Sequence, residues 1–331
     1  ARRAVRHPLV ERYSKDVICV LSSSPPESIH IASAQIAERL GVTLCIDMRD
    51  GWLDEPLKPL LQQHGLQRWR EGRLERRVLT RADKIIVTSP IWKELLGSRL
   101  GFTGKKTVLV TNAYPLIESD RGNEEDLDST KRSATAPRPI HLVHAGRFTS
   151  SRYTQKPGYI FKLLDGAIER WGNGGVITLL GDLESEERKE IGSWRTSFQD
   201  KGWTLKFERS VPREQMLTTL RRADGLLLLS IARAAIPCKL FEYIPARKPI
   251  LAVTSENSAV WCVGGGVPQM FLASYETPLD STNVVVRFLE ACRTGNYAAD
   301  APDIYSEVYL KNVFMNEVAT GFAVSGAPHQ R

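Results

Sequence analysis

Residues 236–252, IPCKLFEYIPARKPILA, combine a lysine and a glutamate at a spacing that suits nucleotide binding. The segment follows a predicted strand and opens a predicted helix, with Pro237 near the first turn. Free backbone N–H groups at a helix N-terminus attract phosphate, and Lys239 adds a full positive charge beside them. Glu242, one turn further on, can accept hydrogen bonds from two ribose hydroxyls. The pattern is therefore compatible with a nucleoside diphosphate site.

The same segment is equally compatible with a purely structural helix. In that interpretation Leu240, Phe241 and Ile244 are buried, while Lys239 and Glu242 are merely solvated. The spacing of these residues does not by itself favour either interpretation.

The first part of the chain alternates short apolar runs with helical patterns. Residues 15–22 form an apolar run that ends in a loop rich in serine and proline, which predicts a buried strand. Residues 28–40 repeat apolar side chains at helical spacing, and Gly41 is a suitable helix stop. The alternation continues with strands at 42–48, 84–88 and 107–111 and helices at 72–81 and 91–100. This rhythm predicts a parallel sheet covered by helices.

Residues 118–139 are polar and lack apolar periodicity, which predicts a linker or a long loop. Beyond them the alternation restarts, with predicted strands at 140–145, 176–180, 204–207, 225–229 and 249–253 and helices at 160–170, 185–200, 213–222, 239–246 and 283–294. A chain of 331 residues exceeds what one core usually organises. We expect an N-terminal domain with linker at 1–138, a C-terminal domain at 139–303, and a helix within 304–331 that crosses back to the first domain.

Several segments resemble glycosyltransferase family 4, whose members are retaining enzymes with the GT-B fold. Residues 237–243, PCKLFEY, followed by Lys-Pro-Ile at 248–250, are similar to the family's donor-nucleotide element. Residues 47–52, DMRDGW, resemble its Asp-x-Arg-Asp-Pro-Trp element, and residues 144–148, HAGRF, resemble the Gly-Arg loop that opens its second domain. The resemblance covers most of the chain and implies two Rossmann-like α/β domains whose parallel sheets face a cleft.

The resemblance also implies a donor-binding site in the second domain. Lys239, with Arg147 or Arg152, would neutralise the diphosphate leaving group, because fixed cations stabilise the charge that grows on a departing phosphate. No metal and no cofactor apart from the sugar-nucleotide donor is then expected. The expected catalytic residues are Asp50, Arg147 and Lys239, and the expected donor-binding residues are Gly146, Arg152, Pro237, Leu240 and Glu242.

Asp50 is the first candidate for the acceptor side. It is predicted at the end of a strand, where its carboxylate could take a hydroxyl proton or steady a positive charge. A helix-capping or salt-bridging aspartate is an equal alternative. His30 and His144 are weaker candidates, because a lone histidine more often satisfies a local hydrogen bond. Trp52 could stack on a sugar, although packing is the commoner role of such a residue.

Three features depart from the pattern of the family. A carboxylate is expected eight residues before Glu242, but Ala234 stands there, which puts the contacts with the sugar in question. Residues 110–114, VTNAY, resemble the family's Asn-Gly turn, but Asn112 is followed by Ala113 rather than by glycine, which is a mild difference. The chain opens at a later strand of the first domain, so we expect the N-terminal domain to lack its first strands.

The composition is that of an ordinary globular protein, with 42% hydrophobic and 25% charged residues. The net charge of +7 is carried by the N-terminal part, since residues 1–117 hold 19 Lys/Arg and 12 Asp/Glu, whereas residues 118–331 hold 26 of each. Such a basic face can attract nucleic acid, anionic lipid headgroups or a phosphorylated acceptor, or it can be a merely solvated surface.

The five cysteines are scattered and include no Cys-x-x-Cys pair, which fits a reducing cytosol. No apolar run approaches the roughly 20 residues that span a bilayer, and no signal peptide opens the sequence. We expect a cytoplasmic protein, with peripheral contact at the inner membrane face if the acceptor is lipid-linked. No clear amphipathic membrane helix is identified from the sequence.

The sequence favours a retaining hexosyltransferase that moves a sugar from a nucleoside diphosphate sugar to a saccharide or lipid-linked acceptor, in surface polysaccharide or glycoconjugate biosynthesis. A non-catalytic sugar-nucleotide-binding subunit is an alternative, favoured by Ala234. A sugar-nucleotide epimerase of the same fold is another, disfavoured by the Arg-Asp-x-Trp and Lys-Leu-Phe-Glu-Tyr elements. Nucleic-acid binding is not expected, because no recognisable binding module is present.

Overall fold

The computed structural model describes residues 2–54, 65–102, 106–114, 139–148, 155–298 and 301–319. The described chain divides into two compact units. The first contains the residues up to Asn112 together with those from Glu307 onward, and the second contains Ala113–Ser306. Almost all of the predicted linker at 118–139 lies outside the described residues.

The described part of the first unit is built on a four-stranded parallel sheet with the order β1-β2-β3-β4. Its strands are β1 (Cys19–Ser24), β2 (Thr43–Met48), β3 (Lys84–Val87) and β4 (Thr107–Leu109). This arrangement confirms the parallel sheet that the alternating pattern predicts.

Local sequence signals explain where the helices of the first unit begin and end. Gly41 ends one helix at a φ of 68°, a left-handed conformation that glycine adopts without strain. Ser89 begins another by accepting a hydrogen bond from the backbone N–H of Trp92. The helices are Arg2–Val5, Pro8–Arg12, Ser28–Leu40, Gly65–Arg81, Pro90–Leu100 and Glu307–Phe314, followed by a π-helical turn at Met315–Ala319.

The C-terminal helical segment packs against the first sheet. Val318 is fully buried in a cluster with Cys45, Ile86 and Val108, which lie on one face of β2, β3 and β4. Phe314 packs against the same cluster. Apolar contacts with strands more than 200 residues earlier therefore hold this segment in the first unit.

The described part of the second unit is built on a six-stranded parallel sheet with the order β10-β9-β8-β5-β6-β7. The strands are β5 (Ile140–Ala145), β6 (Gly175–Leu180), β7 (Trp203–Glu208), β8 (Gly225–Ser230), β9 (Ile250–Thr254) and β10 (Met270–Ser274). The chain starts in the middle of the sheet at β5, places β6 and β7 on one side, and then returns to place β8 on the other. The crevice at the carboxyl ends of β5 and β8 is therefore the topological switch point, where open α/β sheets bind their ligands.

Helices cover both faces of the second sheet. They are Gly158–Trp171, Ser185–Ser193, Arg195–Asp200, Arg213–Arg222, Lys239–Tyr243, Ala259–Gly264 and Pro278–Thr294, with 3₁₀ turns at Ile244–Ala246 and Asp303–Tyr305. The single helix predicted at 185–200 is two helices, which meet at Trp194. Strand β10 and the helix Ala259–Gly264 were not among the predicted elements.

Strand β8 shows why the second unit has an almost continuous apolar run. All six of its residues are buried. Leu227 and Leu229 belong to the core on one face of the sheet, whereas Leu226 and Leu228 belong to the core on the other. A central parallel strand covered on both faces needs apolar side chains at every position. In the described part of the chain, no helix combines the length and the apolar composition needed to cross a membrane.

Candidate functional site

A glycine loop follows β5 at the switch point of the second sheet. Gly146 has a φ of 83°, in the left-handed region that favours glycine. Its N–H donates to the carbonyl oxygen of Leu180 at 2.8 Å. The neighbouring Gly181 lies so close that a Cβ placed on it would be 3.1 Å from the Cα of Gly146. Glycine at both positions lets the two backbone loops touch and keeps Gly146 exposed.

Lys239 reaches this loop from the helix that follows β8. Its Nζ donates to the carbonyl oxygen of Arg147 at 2.8 Å. A Cβ placed on Gly146 would lie 3.4 Å from the same Nζ. The structure thus brings Lys239 and Gly146 together, although they are 93 positions apart in the sequence. A fixed ammonium beside an exposed backbone turn is suited to contact an anionic ligand.

The buried ring of His144 lies beside the Lys239 ammonium. The His144 ring is buried, and its Nδ1 lies 2.9 Å from the carbonyl oxygen of Leu227. A carbonyl can only accept, so Nδ1 carries the proton and Nε2, 3.5 Å from Lys239 Nζ, has a lone pair to accept from it. Burial, and then the charge of Lys239, hold the pKa of His144 well below its ordinary value. His144 is therefore a neutral positioning residue for the lysine.

Two residues that sequence reasoning missed, Glu187 and Gln155, hold the backbone at Phe148, two positions after Gly146. Phe148 stacks on His144 with a centroid distance of 3.7 Å, and its N–H donates to Glu187 Oε1 at 2.8 Å. Gln155 Nε2 donates to the carbonyl oxygens of Phe148 and Leu229, at 2.5 Å and 3.0 Å. Glu187 and Gln155 are both buried. Only their tertiary contacts show this role, because a glutamate and a glutamine in polar segments carry no distinctive sequence signal.

Tyr243 fixes the end of β5 from the opposite side. Its hydroxyl oxygen accepts a hydrogen bond from the backbone N–H of Ala145 at 2.8 Å. The ring is completely buried, and this burial raises the pKa of the phenol. Tyr243 was part of the resemblance but was given no role, and the structure assigns it the positioning of the strand that leads into Gly146.

The side chain of Arg147 points away from Lys239. Its Nε donates to the carbonyl oxygen of Asp182 at 2.9 Å, and its Nη1 lies 3.2 Å from Glu184 Oε1. Both partners of this ion pair are about half exposed, so the pair contributes only about 0–1 kcal/mol. The backbone of Arg147 meets Lys239, while its guanidinium is held weakly nearby. Arg152, the other predicted arginine, lies outside the described residues.

The helix that carries Lys239 is shorter than predicted. It spans Lys239–Tyr243 and continues as a 3₁₀ turn at Ile244–Ala246, instead of one helix over 239–246. The side chain of Leu240 is fully buried in the core, so we assign it to packing rather than to donor contact. Pro237 accepts the backbone N–H of Leu240 at 3.0 Å through its carbonyl oxygen. Buried apolar side chains, as in the structural interpretation, and the partly exposed charges of Lys239 and Glu242, as in the functional one, therefore coexist in this segment.

Glu242 lies three residues after Lys239 and forms an ion pair that sequence reasoning missed. Arg213, at the start of the helix Arg213–Arg222, donates through Nε to Glu242 Oε1 at 3.2 Å. The Glu242 side chain is 28% exposed. A carboxylate has acceptor sites beyond the one that Arg213 uses. Ala234, the position of the missing carboxylate, is half-buried in the loop after β8.

In the first unit, Asp50 is exposed just beyond the carboxyl end of β2. Its neighbour Arg49 donates to the side chain of Asn112 and lies 3.9 Å from Asp47. Ser23 donates to Asp47 Oδ2 at 2.8 Å, and burial raises the pKa of Asp47. The structure therefore places Asp50 beside a held arginine at the edge where the strands end.

His30 and Trp52 are buried in the first unit, apart from the exposed Asp50. His30 is fully buried, with Nδ1 at 2.8 Å from Ser22 Oγ. Its ring centroid lies 6.1 Å from that of Trp52, which is 2% exposed. We assign both residues to packing, the more frequent role of such side chains.

We expect His30 to make the stability of the first unit depend on pH. Burial lowers its pKa from 6.5 to about 4 in the folded chain. His30 therefore takes up a proton at a higher pH in the unfolded chain than in the folded chain. Its contribution to the free energy of unfolding is fully present above pH 6.5 and is lost as the pH falls toward 4. Between pH 7 and pH 5 this contribution should fall by roughly 1–2 kcal/mol.

Thermal denaturation at pH 7 and pH 5 measures this effect. His30→Asn keeps a polar atom at the Nδ1 position and removes the titration, so the variant should lose less stability on acidification than the wild type. His7→Asn, at an exposed position, is the matched control. An equal loss on acidification in the wild type and His30→Asn would contradict the assignment.

Residues 1–113 match the family model described as Glycosyl transferase 4-like domain. The match includes all four strands of the first sheet and ends directly after Asn112. Among curated proteins, none matches the chain with significant similarity.

Several solved structures match nearly the whole chain. The lipopolysaccharide outer core galactosyltransferase WaaB in its apo form is 13% identical with a TM-score of 0.61, covering 97% of this chain and 80% of that one. Anabaena Alr3699/HepE in complex with UDP is 14% identical with a TM-score of 0.60, covering 95% and 82%. An α,α-trehalose-phosphate synthase (UDP-forming) from Burkholderia vietnamiensis is 11% identical with a TM-score of 0.56, covering 98% and 79%.

The structural similarity shows that the chain shares its fold with these proteins. At such low sequence identities it shows the fold alone. Each of the two units has the parallel α/β sheet of a Rossmann-like domain, which confirms the predicted fold class. The family match adds the identity of the first unit. The chain therefore has the GT-B fold, and its residues 1–113 resemble a glycosyl transferase 4-like domain.

Proposed function

We propose that this protein is a retaining hexosyltransferase that moves a sugar from a nucleoside diphosphate sugar to a saccharide or lipid-linked acceptor, in surface polysaccharide or glycoconjugate biosynthesis. The observation that carries the proposal is Lys239 Nζ, held 2.8 Å from the Arg147 carbonyl oxygen beside the exposed Gly146 turn. Solved structures of the same fold contain UDP and UDP-glucose, which makes UDP our first choice of nucleotide.

The diphosphate is the leaving group in such a transfer, and its departure needs electrostatic help. Negative charge grows on the phosphate as the sugar takes on oxocarbenium character. Lys239, already oriented by His144 and the Arg147 carbonyl, would meet that charge without reorganising. Arg147 would add a second cation by leaving its weak, half-exposed pair with Glu184. With these two cations supplying the charge stabilisation, the proposed reaction needs no metal ion.

Asp50 is the proposed acceptor-side residue. An exposed carboxylate at the carboxyl end of β2 can take the proton of an attacking hydroxyl or stabilise positive charge on the sugar. The adjacent Arg49, held by Asn112 and Asp47, fixes the backbone direction of this turn together with Thr88, whose Oγ1 donates to the Arg49 carbonyl oxygen at 3.0 Å.

The proposal is tested by calorimetric titration of the protein with UDP, GDP, ADP and TDP, followed by turnover assays with sugars linked to the nucleotide that binds. Selective binding of one nucleotide with release of that nucleotide during turnover is the expected result. Failure to bind any of the four would overturn the proposed function. Binding without turnover would favour the second candidate, a non-catalytic sugar-nucleotide-binding subunit, which Ala234 supports because it removes a carboxylate from the sugar side.

Glu242 should determine whether the site distinguishes ribose from deoxyribose. If its free acceptor sites hold the ribose hydroxyls, wild-type protein should bind 2′-deoxy-UDP about 10-fold more weakly than UDP, the value of one hydrogen bond to a charged group. Glu242→Ala should bind both nucleotides equally. Glu208, exposed on β7, supplies the control variant Glu208→Ala, which should retain the discrimination. Undiminished discrimination in Glu242→Ala would show that another group contacts the 2′-hydroxyl.

A further inference from the structure

The helix Gly65–Arg81 has an inner face that packs on the first unit and an outer face that points to solvent. Its buried residues are Glu75, Val78 and Leu79. At 100° per residue, these three define one side of the helix. Leu66, Trp69, Arg70, Arg73 and Arg77 all project from the opposite side, and all five are exposed. We call these five residues the Trp69 face.

The Trp69 face carries positive charge only. Its three arginines have no ion pair among the described residues. The two glutamates of the helix lie on the other side by their spacing: Glu75 is 1% exposed and 2.9 Å from Arg99, and Glu71 is half-buried. The face is therefore complementary to a surface of negative charge.

The apolar members of the face make it more than a basic patch. Leu66 is 59% exposed and Trp69 is 56% exposed. The Arg73 guanidinium carbon lies 4.9 Å from the centroid of the Trp69 ring, so the two side chains form a cation–π contact. Nucleic acid or an acidic protein would satisfy the arginines, but a charged polymer gives little reason to expose a leucine and a tryptophan beside them. The headgroup region of a bilayer takes up both kinds of group, because it offers phosphates above an apolar boundary.

We propose that the Trp69 face binds the surface of an anionic lipid bilayer. Leu66 and Trp69 enter the interface, and Arg70, Arg73 and Arg77 contact the headgroup phosphates. This interaction is separate from nucleotide binding at Lys239 in the second unit. The Trp69 face would be the surface through which the protein reaches a lipid-linked acceptor. Its binding to the bilayer does not depend on the proposed glycosyl transfer.

Sedimentation with vesicles tests the proposal on the full chain. Wild-type protein should bind vesicles of equal parts phosphatidylglycerol and phosphatidylcholine, and should bind pure phosphatidylcholine vesicles at least about 10-fold more weakly, because each basic residue near an anionic surface contributes about 1 kcal/mol. Arg70→Glu with Arg73→Glu should abolish binding to the anionic vesicles. Trp69→Ser should weaken it about 10-fold by removing apolar area from the interface.

Matched controls keep the outcome interpretable. Arg222→Glu with Arg287→Glu makes the same charge change at exposed positions of the second unit, and Leu279→Ser removes an apolar side chain that is 81% exposed there. Both controls should bind anionic vesicles like the wild type. All variants should keep the wild-type melting temperature, since every changed residue is exposed.

Three results would overturn the proposal. The first is wild-type protein that does not sediment with anionic vesicles. The second is an equal loss of binding in the second-unit charge control, which would show that only net charge matters. The third is unchanged vesicle binding by Trp69→Ser together with tighter binding to a DNA duplex than to vesicles, which would assign the face to an anionic polymer.

Discussion

Replacing Lys239 with alanine should weaken UDP binding by about 10–100-fold, the value of a charge-assisted hydrogen bond of about 1.5–3 kcal/mol. Lys239 is the cation that the structure anchors most firmly at the switch point, through the Arg147 carbonyl at 2.8 Å and the His144 ring at 3.5 Å. The loss in kcat should exceed the loss in affinity, because the charge on the diphosphate is greatest in the transition state. Calorimetry with UDP and steady-state assays of UDP-sugar turnover measure the two effects.

Lys206→Ala is the matched control for the Lys239 substitution. Lys206 is an exposed lysine on the edge strand β7, so its removal changes the net charge equally without touching the Gly146 turn. It should leave UDP affinity unchanged. Equal UDP affinity in wild type and Lys239→Ala would remove the lysine from the donor site, and equal weakening in both variants would reduce its role to long-range electrostatics.

Substitution of Gly146 by alanine should damage both the fold and the site. At a φ of 83° a side chain introduces strain of about 1–2 kcal/mol. The new Cβ would also lie 3.4 Å from Lys239 Nζ, in the space through which a phosphate would approach the lysine. We expect a lower melting temperature and UDP binding weakened by at least about 10-fold, on the scale of one lost phosphate hydrogen bond. Thermal denaturation and calorimetry on the same preparation separate the two effects.

Gly172→Ala separates backbone strain from damage to the site. Gly172 ends the helix Gly158–Trp171 at a φ of 73°, and a Cβ there would have no heavy atom within 4 Å. Its alanine variant should lose similar stability and keep wild-type UDP affinity. If Gly172→Ala weakened UDP binding as much as Gly146→Ala, the effect would come from general destabilisation, and the proposed contact at Gly146 would be wrong.

The alternating apolar pattern predicted most strands because the inner strands of both sheets are short apolar runs buried on both faces. β8, with alternate leucines in two cores, is the clearest example. Helix ends with strong local signals, such as Gly41 and Gly172, also lie where sequence rules place them. The break at Trp194 has no comparable local signal, so sequence reasoning merged two helices into one. The change to a 3₁₀ turn at Ile244 does have a local signal, Pro245, which the prediction of one helix over 239–246 left out of account.

By itself, the sequence determined the class of the protein: two parallel α/β units and a Lys-Leu-Phe-Glu-Tyr segment able to meet a nucleotide. Local periodicity and residue type are sufficient for that, because they depend on neighbours within a few positions. Only the tertiary structure decided what surrounds Lys239. The Arg147 carbonyl is 92 residues away and the His144 ring 95, and Gln155 donates to the carbonyl oxygen of Leu229 on β8, 74 residues away. Such contacts follow from the order of strands in the sheet, which brings distant segments to one edge. The local sequence of either segment does not indicate this order.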